Sequence, residues 1–209
     1  MDERIIESEE CLKEGSGYLA GRFPEFSYAI DMVGSLNLRR QPDGFSQLLS
    51  AIVSQQLSVA AANSIWSRLK SARLIGPRKI SSASDEELAA AGLSRQKIRY
   101  ARALADSKIN YRKLRAMASD EVIAELTQVS GIGSWTAEIY TMFSLGRADI
   151  FAPGDLALKE SARLLFDWPN RPKEKEFREL AKAWSPWRSV AARILWSYYR
   201  KVKERDGIR

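Results

Sequence analysis

An all-α fold is expected from three observations. Apolar residues recur at i, i+3, i+4 and i+7 through nearly every segment, alternation over strand lengths is hard to find, and Ser, Gly and Pro stand where helices start and stop. With 209 residues and 45% apolar side chains the chain can build an ordinary core, as one domain or as two small ones.

Phe45, Leu48, Leu49, Ile52 and Val53 make a full apolar helix stripe, opened by the turn Pro42-Asp43-Gly44. Ser58 is placed to cap a second helix, with Val59, Ala62, Trp66 and Leu69 on one side, ending near Gly76-Pro77. Between the two lies the polar corner Ser54-Gln55-Gln56-Leu57. Ser84-Asp85-Glu86-Glu87 has the spacing of a capping box, and Gly92 can end that short helix in the left-handed conformation. The next helix turns Ile98, Ala101, Leu104 and Ala105 one way and Arg95, Arg99 and Arg102 another. Asp120 to Val129 is expected to be helical, and Ser130-Gly131-Ile132-Gly133-Ser134 is a tight turn into a helix carrying Ala137, Ile139, Tyr140 and Phe143, which Gly146 ends. Pro153-Gly154-Asp155 starts a helix from Leu156 to Phe166, and 168–172 is a loop by composition. The last two helices carry Phe177, Leu180, Ala181 and Trp184, then Val190, Ala191, Ile194, Leu195 and Tyr198, with Pro186 in a first turn. Trp66, Trp168 and Trp184 read as core.

The net charge of +7 and a pI near 9.6 favour an anionic partner, nucleic acid or an acidic membrane surface. Residues 93–115 hold eight Lys/Arg and one Asp, so this one stretch matches the whole excess; a solvated helix face is the plain alternative. The chain has no histidine and one cysteine, Cys11. That excludes His general bases, Ser-His-Asp and Cys-His triads, His-rich zinc sites, four-cysteine zinc or iron–sulfur sites and an intramolecular disulfide. The acidic start MDERIIESEE does not read as a secretion signal. The uncharged stretch Phe45 to Ser67 is interrupted by Ser, Gln and Asn, so it reads as a buried soluble segment and no membrane partner is expected.

The segment Leu126 to Ala137 is the most informative. Two glycines one residue apart between helices let the backbone turn sharply and aim successive N–H groups from a helix N-terminus at a phosphate. Such a grip carries no base specificity, and a plain helix–turn–helix connection would use the same residues. Asp155 follows Gly133 by 22 residues, room for one helix of about ten residues and a return loop, which would bring it beside the hairpin's mouth. Its simplest role is N-cap of the next helix. That role is compatible with catalysis, because a helix N-terminus favours negative charge and a fixed carboxylate stabilises a sugar that develops oxocarbenium character.

Leu126, Val129, Gly131, Ile132, Gly133, Thr136 and Ala137, followed by Phe151-Ala152-Pro153-Gly154-Asp155, resemble the helix-hairpin-helix DNA glycosylase superfamily. Ala51 to Ala60, Gly92 to Lys97 and Trp184 to Ala191 are similar to its alkylation-repair branch, the 3-methyladenine glycosylases of type II. The resemblance runs from about residue 20 to 200. It implies a compact all-α form, two helical subdomains flanking a cleft, here taken as 43–155 with the hairpin at about 126–137, and 1–42 plus 156–209 built from both termini. It implies Asp155 as the catalytic residue, and Trp135 and Trp196 as walls of a pocket that holds a flipped cationic base by stacking and cation–π attraction.

Relatives that also cut the backbone carry a lysine two residues after the second hairpin glycine; here that position is Trp135, which implies a monofunctional enzyme with water as nucleophile. No general acid is needed for N3- or N7-alkylated purines, which carry a positive charge and leave neutral. DNA contacts are expected from Gly131, Gly133, Ser134 and Thr136, from Arg95 and Lys97, and from a wedge at Gln56 or Leu57. By the same resemblance, the backbone carbonyls of Thr127, Val129 and Ile132 would hold a structural sodium or potassium ion; no other cofactor, no zinc and no iron–sulfur cluster is expected. The partner implied is double-stranded DNA with alkylated bases, met by a monomer in the cytoplasm at the nucleoid, or in the nucleus of a eukaryote. Two other functions fit parts of the pattern: a non-catalytic helix-hairpin-helix DNA-binding module, and a glycosylase for mismatched or oxidised bases.

Overall fold

A computed structural model describes residues 3–203, so the outermost residues of the expected terminal ranges lie outside the described part. Among the described residues there are thirteen α-helices, one 3-10 turn and an isolated antiparallel bridge between Ile5 and Arg147. None of these helices is long and apolar enough to cross a membrane. The chain divides into two compact units, one from residues 41–140 and one from the residues up to Arg40 together with those from Thr141 onward.

The unit 41–140 contains α3 (Phe45–Ser54), α4 (Val59–Ser71), α5 (Pro77–Ser82), α6 (Asp85–Ala90), α7 (Arg95–Asp106), α8 (Tyr111–Ala116), α9 (Ser119–Thr127) and most of α10 (Ser134–Phe143); α1 (Glu9–Ala20) and α2 (Pro24–Val33) precede it. Phe45, Leu48, Leu49, Ile52 and Val53 of α3 are all buried, as their spacing predicts, and α3 packs on α4 and α7. The Ser84–Glu87 capping box forms, each partner bonding the other's backbone N–H. The helix expected to run to Gly76 ends at Ser71 instead. Pro77, with no N–H to lose, opens α5 as its first residue. The basic stretch makes two helices, α7 and α8. Val59, expected on the buried side of α4, is exposed.

The second unit contains α1, α2, α11 (Leu156–Leu165), α12 (Glu174–Leu180), the 3-10 turn Ala181–Trp184 and α13 (Arg188–Lys203). Its axis is α13, which packs on α1, α2 and α11 and buries the run from Ser189 to Trp196. Around Trp184, Phe26, Phe151 and Phe177 stand edge-on at 5.3, 5.3 and 5.9 Å, while Phe166 stacks at 5.9 Å and carries Trp168 on its own ring at 5.2 Å. Pro186 lies before α13 rather than in its first turn, and Leu180 is exposed.

The expected boundary at 155 is corrected to 140. Residues 141–155 belong with the termini because their backbone bonds go there: Ile6 N–H donates to Gly146 O (2.7 Å), Ala148 N–H to Arg4 O (2.9 Å), and the Ser189 hydroxyl to Arg147 O (2.6 Å) and Ile150 O (2.9 Å). The Arg188–Asp149 pair, with bonds of 2.7 and 3.0 Å, adds a side-chain tie.

Buried Glu160 of α11 accepts from Arg163 (3.0 and 3.2 Å) and Arg171 (2.5 Å), which hold its carboxyl at about 2, below the usual 4.5. A depressed carboxyl stabilises the fold above its unfolded pKa and loses that contribution as pH falls towards the folded one. Glu160→Gln is therefore expected to unfold at lower urea than the parent at neutral pH, with the gap closing between about pH 4.5 and about pH 2. A pH-independent gap would assign the difference to packing.

Candidate active site and nucleic-acid interface

In the unit 41–140 the turn between α9 and α10 closes through Ile132 N–H to Val129 O (3.0 Å) and Ala137 N–H to Gly133 O (3.0 Å). The two glycines differ in why they are glycine. Gly131 has φ +95°, and a Cβ there would overlap the Tyr100 ring, so both backbone and packing require it. Gly133 lies outside the positive-φ set, and a Cβ there would meet nothing within 4 Å. Nothing inside the chain demands glycine at 133; the space belongs to whatever approaches from outside. Ser134 is exposed in the first turn of α10, where amides have no preceding helical carbonyl. Thr136 is 5% exposed, so its side chain packs inward and a contact there would fall to its backbone. Trp135 is half-buried.

The corner after α3 is tied to this turn by a residue that sequence reasoning missed: Gln55 Nε2 donates to Gly131 O at 2.9 Å. Gln56 next to it is exposed with φ +57°, and Leu57 is an exposed apolar side chain, so both expected wedge residues stand at the surface. Lys97 does internal work. Its ammonium donates to Val53 O (2.6 Å) and Gln55 O (2.8 Å) at the end of α3, and burial lowers its pKa. Two of its three protons are committed, which departs from the expected phosphate contact. Arg102 is also spent, on Asp85 (2.6 Å) and on the carbonyls of Ile80 (3.1 Å) and Ala83 (2.9 Å), and Arg115 grips Asp43 at 2.6 and 2.9 Å. Of the basic stretch, Arg95, Arg99, Lys108, Arg112 and Lys113 are exposed, as is Arg115 despite its pair with Asp43.

In the unit built from both termini, Asp155 is the N-cap of α11, and its Oδ1 accepts from Leu158 N–H at 2.9 Å. The same oxygen accepts from the Trp196 indole Nε1 at 3.2 Å, so a residue 41 positions later on α13 fixes the carboxylate from a second side. Asp155 is 4% exposed and Trp196 2% exposed. The Trp196 ring lies against Phe143 at 5.7 Å, tilted by 31°. It offers its N–H to Asp155, and its ring also lines a small pocket with Phe143. No sequence signal separates these roles, because a tryptophan can stack or donate equally well.

The HhH-GPD superfamily model, described as base excision DNA repair protein, matches residues 49–186. The chain is 30% identical over 207 residues to DNA-3-methyladenine glycosylase 1 of Schizosaccharomyces pombe, covering 92% of this chain and 91% of that protein. The solved structure of the 3-methyladenine DNA glycosylase Mag1 of that organism with abasic DNA is similar at a TM-score of 0.79 and 28% identity, covering 91% of this chain and 97% of that one. A DNA-3-methyladenine glycosidase from Bacillus halodurans gives a TM-score of 0.81 at 32% identity, covering 98% and 95%. With a family model spanning the hairpin, the proline-glycine loop and Asp155 together, the chain belongs to the HhH-GPD superfamily of base excision DNA repair proteins.

Proposed function

We propose that the protein is a DNA glycosylase of base excision repair that hydrolyses the N-glycosidic bond of alkylated bases in duplex DNA, as a type II, monofunctional enzyme. The observation that carries this is the fixed carboxylate of Asp155, held by Leu158 N–H and the Trp196 indole (2.9 and 3.2 Å) in a family whose named relatives act on 3-methyladenine. A pure DNA-binding module could cap α11 and bond Trp196 with a neutral Asn at 155, without holding a negative charge near an anionic partner.

In this reading the hairpin holds the backbone through the amides around Ser134, with Gly133 giving the phosphate its close approach. The corner at Gln56 and Leu57 fills the gap left by the flipped nucleotide. Trp135 supplies the stacking surface for the cationic base. As the C1′–N bond lengthens, Asp155 stabilises the developing positive sugar and orients the attacking water, and the alkylated purine leaves neutral without a general acid. Trp196 acts as a positioning residue for Asp155. The carbonyls of Thr127, Val129 and Ile132 are hard, neutral donors suited to sodium or potassium, and the Val129 oxygen keeps a lone pair beyond its bond to Ile132 N–H. A cation there would hold a phosphate at the turn. The enzyme works as a monomer at the nucleoid, or in the nucleus of a eukaryotic cell.

Asp155→Asn keeps an acceptor for Leu158 N–H and the indole while deleting the charge. Single-turnover release of bases from methylated duplex is expected to fall by several orders of magnitude, each tenfold being about 1.4 kcal/mol of barrier. DNA affinity should hold or rise, and stability should drop by at most about 1 kcal/mol. Excision near the parent rate would remove Asp155 from the chemistry.

Incubation with alkylated DNA and borohydride should trap no covalent adduct, since Trp135 stands at the lysine position. A trapped species would point to lyase chemistry through another lysine.

The hairpin glycines should separate. Gly131→Ala is expected to cost about 1–3 kcal/mol in chemical unfolding through strain and the Tyr100 overlap. Gly133→Val should leave stability near the parent and weaken binding to damaged and undamaged duplex alike; unchanged affinity would mean no phosphate approaches there.

A further inference from the structure

Arg193 lies within α13 and is 3% exposed. Its Nη1 donates to Ser189 O at 2.9 Å, but Nε and Nη2 are buried with no hydrogen-bond partner among the described residues. Phe143 covers the guanidinium at 4.5 Å, a contact worth much less than the bonds the two nitrogens forgo. Burial, then the like charges of Arg39 and Arg40, pull its pKa down to about 9. Such a group is expensive to keep unless something supplies its missing acceptor.

A small pocket of about 10 Å³ lies beside it, lined by Arg39, Arg200, Phe143, Trp196 and Ser197 among others. Its lining carries the three guanidinium groups and no carboxylate. The volume admits roughly one oxygen atom, leaving the rest of a larger anion at the mouth, where Arg39 and Arg200 are half-exposed. A tetrahedral group with several charged oxygens can give one to Arg193 and others to the rim, and guanidinium forks match that geometry. A cationic ligand would add to the positive charge of this lining.

We propose that Arg193, with Arg39 and Arg200, forms a phosphate-binding site within the unit built from both termini. The phosphate comes either from the DNA backbone or from solution; only the first source rests on the glycosylase reading.

Thermal unfolding of the full chain in inorganic phosphate and in chloride at equal ionic strength tests the site without DNA. The parent is expected to melt a few degrees higher in phosphate, and Arg193→Met to lose that difference while still folding, since it removes a buried charge. In parallel, the affinity for undamaged duplex is followed against salt. A slope reduced by about one in Arg193→Met assigns the phosphate to DNA. A phosphate-specific rise with an unchanged slope assigns it to solution. Should Arg193→Met not fold, Arg200→Gln at the rim carries the same two measurements, with several-fold weaker phosphate binding expected. Equal response of parent and variants to phosphate, together with equal salt slopes, overturns the site. Excision by the parent on methylated duplex is scored separately, so loss of the glycosylase reading leaves the phosphate result standing.

Discussion

One carboxylate oxygen carries two structural duties in this protein. Oδ1 of Asp155 ends the backbone of α11 by accepting Leu158 N–H, and it binds α13 by accepting the Trp196 indole. Orienting a charged group usually costs side-chain entropy at the moment of reaction. Here that ordering is done by helix formation and by the packing of α13 on α11. The carboxylate can hardly rotate away without uncapping one helix and orphaning the buried N–H of another. The arrangement makes the candidate catalytic group part of the core, and it explains why a tryptophan is buried beside it rather than a smaller apolar residue.

The unit 41–140 solves a different problem, that of keeping an irregular turn rigid without covering it. Its supports come from behind: Tyr100 closes on Gly131, Gln55 bonds the Gly131 carbonyl, and Lys97 fastens the end of α3 from which Gln55 extends. Gly133 and Ser134 stay outside this scaffold. Cationic side chains divide likewise between struts, such as Lys97, Arg102 and Arg115, and exposed charges such as Arg95 and Arg99. Net charge alone cannot make that division.

Local rules made much of the fold legible. The α3 stripe, the Ser84–Glu87 box, the Ser58 cap and the Pro-Gly-Asp start of α11 each depend on residues within a few positions of one another. Apart from local misses such as the end of α4 and exposed Val59, the failures are long-range. Residues 141–155 have little periodicity, and their partners, Arg4, Ile6 and Ser189, lie far away in the chain, so the boundary fell in the wrong place. The bond of Trp196 to Asp155 went unread because stacking and hydrogen-bonding tryptophans look alike until Asp155 is seen 3.2 Å away. The Thr136 side chain, in the first turn of α10 beside exposed Ser134, is already buried, which spacing does not reveal. The Gln55 bond spans 76 residues and leaves no trace in spacing.

The discontinuity of the unit built from both termini orders events on the ribosome. Every internal partner of the hairpin unit exists once residue 140 has been made, because that unit is one continuous stretch of chain. Asp155 is synthesised next, but its second donor is 41 residues further on, and α1 and α2, made earlier, wait longer still for α13. During that interval the nascent chain presents the hairpin unit while the Asp155 carboxylate lacks its second donor. The carboxylate is held from both sides only when the last helix docks.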